Sequence, residues 1–298
     1  MKCKIDATNL SPLRYPGSKR RLVTYLYEIL QHNGVQPNVL VEPFVGGGSV
    51  VLYFLKNKIV EKAIISDKDR LIYSFWYVLF SDTKYLINFI KNVKINLRNF
   101  QNYKTIAKRV EDYPEKILAE ACIFLNRTSF SGIMTDSVGP LGGYKQTSDY
   151  KISCRFNKER IIEKIKVISS FRRKVVVLPY DWKDTIEYAE NWLLKRKRLN
   201  KAFFYFDPPF FNKACDLYRK YFSIEDHRRF CDFILSLKYD WVLSYDDAPE
   251  IRKMYKRNGN TPMHVEMPYS INSGGRRLEK ELIITPLSLP RPASRPKG

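Results

Sequence analysis

Five consecutive apolar residues, Ala202 to Phe206, run directly into Asp207-Pro208-Pro209-Phe210. An uninterrupted apolar run of this kind predicts a strand buried on both faces. It cannot continue past Asp207, because two successive prolines have no N–H to give a sheet ladder. The Asp207 carboxylate is thereby placed at the C-terminal edge of a buried strand, where open α/β sheets bind ligands. The rigid prolines let the Asp207 side chain and the Pro208 carbonyl face one small donor together, with the Phe210 ring as a flat surface beside them. Two acceptors and an aromatic plate suit a planar base with an exocyclic amine. For this stretch alone, a strand that merely closes in a proline-rich turn is the alternative, and the rest of the chain decides between the two.

Another strand-and-turn unit lies near the N-terminus. Val39 to Val41 predict a strand, Phe44-Val45-Gly46-Gly47-Gly48-Ser49 a glycine-rich turn, and Val50 to about Lys56 an amphipathic helix. Such a turn admits a ligand close to the backbone and points helix N–H groups at it. Ala63 to Ile65 predict the next strand, which ends at Asp67. That acid follows Gly46 by about 20 residues, the spacing of the ribose-hydroxyl ligand in nucleoside-binding α/β folds. The turn is not GxGxxG, so a nucleoside without a pyrophosphate fits better than NAD. Ahead of this unit, Arg14-Tyr15-Pro16-Gly17-Ser18-Lys19 opens a helix expected to reach about Leu30. A lysine at a helix start opposes the dipole; it points either to a nearby anion or carboxylate or to an exposed basic face.

Between Lys68 and about Lys166 the strand–helix alternation stops. Helical periodicity fills 69–110 and 115–127. An aperiodic polar stretch follows, from Thr128 through Phe130-Ser131-Gly132 to Gly142-Gly143-Tyr144-Lys145. A loop that long inside a compact protein is functional or disordered. Its interleaved Tyr144, Lys145, Tyr150, Arg155 and Phe156 suit a nucleic-acid surface. Alternation resumes with Val175 to Leu178, closed by Pro179-Tyr180-Asp181-Trp182, and with a helix over about 184–198. The Lys195-Arg196-Lys197-Arg198 run ends that helix, where cations are favourable. After Phe210, a polar loop over 211–222 carries Phe211, Lys213, Tyr218 and Tyr221. Ser223 and Asp226 then form a capping box. Trp241 to Ser244 predict a strand, 248–257 a helix, and Val265–Ile271 with Glu281–Thr285 a hairpin around Asn272-Ser273-Gly274-Gly275. Residues 286–298, Pro-rich and basic, are expected to be disordered.

The chain has 52 basic and 31 acidic residues, a net charge of +21, and a field of that sign favours a polyanion, nucleic acid first. Five scattered cysteines and three scattered histidines have neither disulfide-framework nor metal-ligand spacing, so reduced thiols and no metal are expected. No apolar run is long enough to span a membrane, and the N-terminus lacks a signal-peptide pattern. The expected setting is the cytoplasm.

Taken together, Arg14 to Lys19, Glu42-Pro43-Phe44-Val45-Gly46-Gly47-Gly48-Ser49, Ser66-Asp67 and Asp207 to Phe210 resemble the Dam-like DNA adenine N6-methyltransferases (D12 class), in the motif order of their α group. The resemblance covers nearly the whole chain to about residue 286. It implies an α/β fold: a Rossmann-like S-adenosylmethionine-dependent methyltransferase sheet with an antiparallel C-terminal hairpin. Its catalytic core would comprise 1–80 and 165–285, with a mostly helical target-recognition insertion at 81–164. S-adenosylmethionine is the implied methyl donor and double-stranded DNA the implied partner, with the protein a monomer or weak dimer. By position, Tyr15 and Lys19 would contact the cofactor, Lys19 near its carboxylate. Phe44, Gly46, Gly47 and Gly48 would cradle the methionine part. Asp67 would take the ribose hydroxyls, Asp181 would lie near the adenine amine, and Asp207 would border cofactor and target.

The implied chemistry rests on Asp207, Pro208, Pro209 and Phe210. A target adenine must leave the duplex to reach them. It would stack on Phe210 while Asp207 and the Pro208 carbonyl accept hydrogen bonds from N6, and the methyl would pass directly to nitrogen by positioning and electrostatics. There are departures from the family. Phe210 stands where many relatives carry Tyr. Phe130-Ser131 occupies the place of an aromatic-Asn pair, and Thr135 falls near the place of a recognition arginine, so GATC specificity is not carried over. Arg127, Phe130, Ser131, Lys145 and Arg155 are the candidates for DNA contact. An RNA or cytosine-N4 amino-methyltransferase and a catalytically inactive DNA-binding relative stay open, as does a role in restriction-modification. A protein glutamine methylator is disfavoured by the acid at 207, and a nucleotide-dependent oxidoreductase by the missing GxGxxG.

Overall fold

The structure, a computed structural model, describes residues 10–14, 19, 22–197, 201–212, 214–256, 263–270 and 276–290. Seven strands form one sheet: β1 Val39–Glu42, β2 Lys62–Ser66, β3 Val175–Leu178, β4 Ala202–Phe206, β5 Asp240–Asp246, β6 Met263–Ser270 and β7 Arg276–Ile284. Their order is β3-β2-β1-β4-β5-β7-β6. The first five are parallel, and β7 runs antiparallel to both β5 and β6. This is the Rossmann-like methyltransferase sheet with its antiparallel C-terminal pair. The expected Asn272–Gly275 turn lies outside the described residues.

The central strands β1 and β4 are buried at every position, which is why both read as continuous runs and not as alternating patterns. Between them the strand order reverses. From β1 the chain steps outward through β2 to β3, then returns to β4 and steps the other way. A crevice opens at the C-terminal ends of the strands at such a point, between Glu42 and Asp207.

Side chains alternate between the two faces of the sheet. Leu40, Ala63, Ile65, Phe203, Tyr205 and Val242 belong to one apolar cluster, and Val39, Val41, Ile64, Phe204, Phe206 and Leu243 to another. Helices α1 Val23–His32, α2 Ser49–Lys56, α3 Arg70–Ser81, α4 Thr83–Asn92, α5 Leu97–Lys108, α6 Glu115–Thr128 and α7 Lys158–Ser169 cover the first face. The second is covered by α8 Trp182–Lys195, and by α10 Ile224–Ser236 and α11 Pro249–Tyr255, which follow a single turn, α9 Ala214–Leu217. The first cluster passes without a break from the sheet through α2 and α3 into α6 and α7. The helical segment thus shares its core with the sheet, and α6 is buried on nearly every side.

Local signals set the element ends. Asp181 caps α8, accepting from the N–H groups of Lys183 and Asp184 at 2.9 and 3.2 Å, so that helix starts two residues before the expected 184. Ser223 and Asp226 form the capping box of α10. Residues 286–290, expected to be disordered, are instead packed. Leu287 and Leu289 lie on the first cluster, Ser288 exchanges hydrogen bonds with the Asn33 side chain, and Tyr25 Oη donates to the Pro290 carbonyl. Two leucines set among prolines supply apolar area that a composition rule averages away. Residues 291–298 lie outside the described residues. Among the described residues no helix is long and apolar enough to cross a membrane, and no three potential ligand side chains are grouped to hold a metal ion.

Candidate active site

The crevice at the sheet switch point is a cavity of about 270 Å³. It gathers Lys19, Phe44, Gly46, Gly47, Gly48, Asp67, Asp181, Asp207 and Pro209, which lie far apart in the sequence. Pro208 is buried behind it. Phe210 stands beside it, with the Lys19 Nζ 5.2 Å from its ring centre and the Tyr218 ring edge-on at 5.7 Å. Tyr15 and Lys213 lie outside the described residues.

The glycine turn is shaped from beneath by Trp76, a residue of α3. Trp76 Nε1 donates to the Gly46 carbonyl at 2.9 Å. Gly48 has φ +66°, and a Cβ there would stand 2.6 Å from the Trp76 ring. Both the left-handed backbone and the lack of space demand glycine. Ser11 Oγ donates to the Gly47 carbonyl at 2.5 Å, which fixes the turn from its other side.

Five acids line the cavity together with this turn: Glu42, Asp67, Asp69, Asp181 and Asp207. Asp67 accepts from Gly46 N at 3.0 Å and Asp69 N at 2.9 Å. Burial, and then the neighbouring Asp69, push its carboxyl up to about 7 despite those two bonds. Glu42 is buried and accepts from Val51 N at 2.9 Å. Burial first and the Asp207 charge second hold its carboxyl well above the usual range. Asp207 Oδ1 lies 3.1 Å from Lys19 Nζ, which also meets Glu281 Oε1 at 3.0 Å. Ser244 Oγ donates to Asp207 Oδ1 at 3.2 Å and is bonded in turn to the Tyr205 hydroxyl at 2.8 Å. The Lys19 and Glu281 side chains are 3% and 6% exposed, that of Asp207 23%, so Asp207 is the most accessible of the three; Lys19 also lines the cavity and Glu281 does not. Desolvation pushes Asp207 up to about 6, against the pull of Lys19. The cation at the start of the chain therefore has its carboxylates: they belong to the protein, on β4 and β7.

The segment after Phe210 is held from two sides. Asp246, at the end of β5, accepts from Phe211 N at 2.7 Å and Asn212 N at 3.0 Å. Farther on, Arg219 pairs with Asp69 at 3.2 Å and donates to the Ala107 carbonyl of α5 at 2.6 Å. Those bonds hold Tyr218 to Phe222 along the cavity wall.

The candidates for DNA contact divide. Phe130, Lys145 and Arg155 are exposed, Phe130 by 64%. Ser131 adopts φ +54° in the turn that presents Phe130. Arg127 is half-buried: its Nε is shielded from water with no hydrogen-bond partner, and burial lowers its guanidinium to about 10. Thr135, near the expected place of a recognition arginine, is also buried. Lys104 of α5 donates to the carbonyls of Thr135, Asp136 and Val138 at 2.6, 3.2 and 3.1 Å, which fixes the loop that holds them.

Sequence reasoning missed Trp76, Glu281, Ser244, Arg219, Asp246 and Lys104. Each acts across at least 30 residues of sequence, and nothing local marks them. Glu42 was different, since it sits inside the quoted Glu-Pro-Phe motif and only its burial was needed to single it out.

The chain is 27% identical over 247 residues to the type II methyltransferase M.MjaIII of Methanocaldococcus jannaschii, across 76% of this chain and 79% of that protein. Its residues 15–271 match the family described as D12 class N6 adenine-specific DNA methyltransferase. That span runs from the start of the lysine turn through the glycine turn and the Asp-Pro-Pro-Phe motif into the C-terminal antiparallel pair, and this chain belongs to the D12 class N6 adenine-specific DNA methyltransferases.

Proposed function

We propose that the chain methylates N6 of a flipped-out adenine in double-stranded DNA, with S-adenosylmethionine as donor. One observation carries this reading: Asp207, held by Lys19 and Ser244, shares a single cavity with the glycine turn and Asp67. The cavity suits that donor. Of the five acids that line it, Glu42, Asp67, Asp181 and Asp207 complement an ammonium, a sulfonium, a ribose diol and an adenine amine, and the space that a Gly48 side chain would fill is kept clear. When bound, S-adenosylmethionine supplies an electrophilic methyl group on sulfur.

The protein residues do the rest. Phe44 and the glycine turn receive the amino-acid part. Asp67 uses oxygen lone pairs beyond those taken by the Gly46 and Asp69 N–H groups to accept from ribose hydroxyls. Asp181 lies at the adenine end. Asp207 and the Pro208 carbonyl accept from N6 of the target, which turns its lone pair toward the methyl, and Phe210 stacks on the ring. Lys19 acts through Asp207, keeping it ionised as an acceptor. The proton that N6 loses leaves by way of Asp207 or water. The helical segment 81–164 carries target recognition, with Phe130 and Ser131 at its exposed turn. The relative's description as a type II methyltransferase supports modification of DNA at a defined sequence, alongside a restriction enzyme.

The test is transfer from labelled S-adenosylmethionine to unmethylated DNA, followed by nucleoside analysis and modification-sensitive sequencing. The expected product is N6-methyladenine at one motif. Asp207→Ala should lower turnover about 100-fold or more and leave most DNA affinity in place. N4-methylcytosine, or label in RNA alone, would overturn the substrate; an active Asp207→Ala would overturn the mechanism.

A further inference from the structure

The cavity wall from Tyr218 to Phe222 is neither helix nor strand. Among the described residues, Arg219 to Phe222 make no backbone-to-backbone hydrogen bond, so side chains tie this stretch down. At its far end the Phe222 ring packs on Phe44, Phe230 and His227. Near its start Arg219 turns inward, its side chain 14% exposed, and answers two groups from different parts of the fold. Its Nε lies 3.2 Å from Asp69 Oδ2, an ion pair and not an aligned hydrogen bond. Its Nη2 donates to the Ala107 carbonyl at 2.6 Å. That carbonyl is in the last turn of α5, where unpaired carbonyls and the helix dipole favour a cation.

Each partner has a second role. Asp69 caps α3 through its other oxygen, accepting from Leu71 N at 3.0 Å, and its own N–H donates to Asp67 Oδ1 at 2.9 Å. Asp69 thereby orients the acid that the methylation reading gives to the ribose. α5 belongs to the helical segment that the same reading gives to target recognition. One residue back along the wall, the Tyr218 ring stands edge-on to Phe210 at 5.7 Å, against the plate for the target base. A planar guanidinium serves an acid and a carbonyl in two directions at once, whereas an ammonium is a point charge on a flexible stem. We propose that Arg219 is a positioning residue that latches the 218–222 wall across the cavity, so that the donor is held against Asp67 while the Phe210 plate is set for the target base. Arg219 acts through Asp69 and the wall and takes no part in the chemistry. This rests on the DNA-methyltransferase reading and adds to it the group that closes the donor's site.

The test makes two measurements on the full-length chain, for wild type, Arg219→Gln, Arg219→Lys and Asp69→Asn. One is hydrogen exchange of the 218–222 amides with no ligand added. The other is S-adenosylmethionine binding by calorimetry, with methyl-transfer kinetics in parallel. Arg219→Gln should speed exchange in the wall and weaken donor binding about tenfold or more, chiefly through faster release. Its KM for the donor should rise by a similar factor while kcat at saturation stays within about threefold of wild type. A residue that only supports the fold would lower kcat with the active fraction and leave KM in place. Arg219→Lys should fall between Arg219→Gln and wild type. Asn still caps α3, so Asp69→Asn keeps the test decisive if Arg219→Gln fails to fold; it should likewise speed wall exchange and raise KM. The latch is overturned if wall exchange is unchanged in the variants, or if kcat falls and KM holds. Wild type that binds no donor and methylates no DNA, with wall exchange still faster in the variants, overturns the methylation reading and leaves the latch as the closure of the cavity. Wild type that binds and transfers, with donor affinity unchanged in the variants, overturns the latch alone.

Discussion

In the proposed reaction Asp207 accepts a hydrogen bond from an amine, and it is the stronger acceptor when ionised. Its burial raises the cost of that charge, and Lys19 at 3.1 Å lowers it again. Glu281 shares the same ammonium at 3.0 Å and works in the opposite direction. The balance leaves Asp207 at about 6. Activity should therefore rise with pH through about 6 and level off above it. Glu281→Gln removes a neighbouring negative charge and leaves Lys19 to Asp207, so the acid limb should move to lower pH. Lys19→Gln should move it to higher pH, because the stabilising cation is lost. A purely structural role for either residue would lower turnover at every pH and leave the limb in place; pH–rate profiles of the three proteins separate the two cases. The same sign governs stability. The folded pKa of Asp207 lies above the usual 3.9, so its ionisation costs the folded state as pH rises from about 4 to about 6. Asp207→Asn should be less active and, above pH 6, more resistant to denaturant than wild type.

The turn between β1 and α2 shows how much a single element depends on distant support. Its glycines were evident in the sequence, and so was the need for backbone freedom. The reason Gly48 in particular cannot change is Trp76, on a helix that reads as ordinary amphipathic surface. Gly48→Ala should cost about 1–2 kcal/mol through its left-handed backbone alone, and the clash at 2.6 Å adds to it. Cofactor affinity should fall with stability, as calorimetry and chemical denaturation would report together. By contrast, Ser223→Ala breaks the α10 capping box, whose side chains follow Phe222 on the cavity wall but do not line the cavity themselves. It should cost about 1 kcal/mol and leave cofactor affinity unchanged. The parallel strands, their acids and the capping box were legible because each is set by residues within a few positions of one another. The order of the outer strands, the Glu281 side of the Lys19 pair and the packing of residues 286–290 were not, because their partners are brought in by the chain's return across the sheet. Arg127 was legible as a basic residue near the recognition turn but not as a half-buried one; its partial burial follows from the packing of α6.

At the scale of the whole molecule, two fields oppose each other. The chain carries +21, while its cavity is lined by Glu42, Asp67, Asp69, Asp181 and Asp207 beside Lys19, Lys68, Arg219 and Lys220. The outer field draws a polyanion to the surface. The inner carboxylates suit a donor whose ammonium and sulfonium are positive, and several of them are sheltered from solvent. Salt should separate the two. DNA binding releases counterions from each neutralised phosphate, and a protein with 6–10 such contacts loses about 10³–10⁵ in affinity between 50 and 200 mM salt. Cofactor binding releases no condensed counterions, and its partners lie in a cavity that screening ions enter poorly. Over the same range its affinity should change by only about threefold or less. Titrations of DNA and of S-adenosylmethionine, each across that salt series, measure both slopes. A flat DNA slope would mean that the positive surface meets something other than the phosphate backbone. A steep cofactor slope would mean that the donor is held by exposed charge and not by the buried acids around the glycine turn.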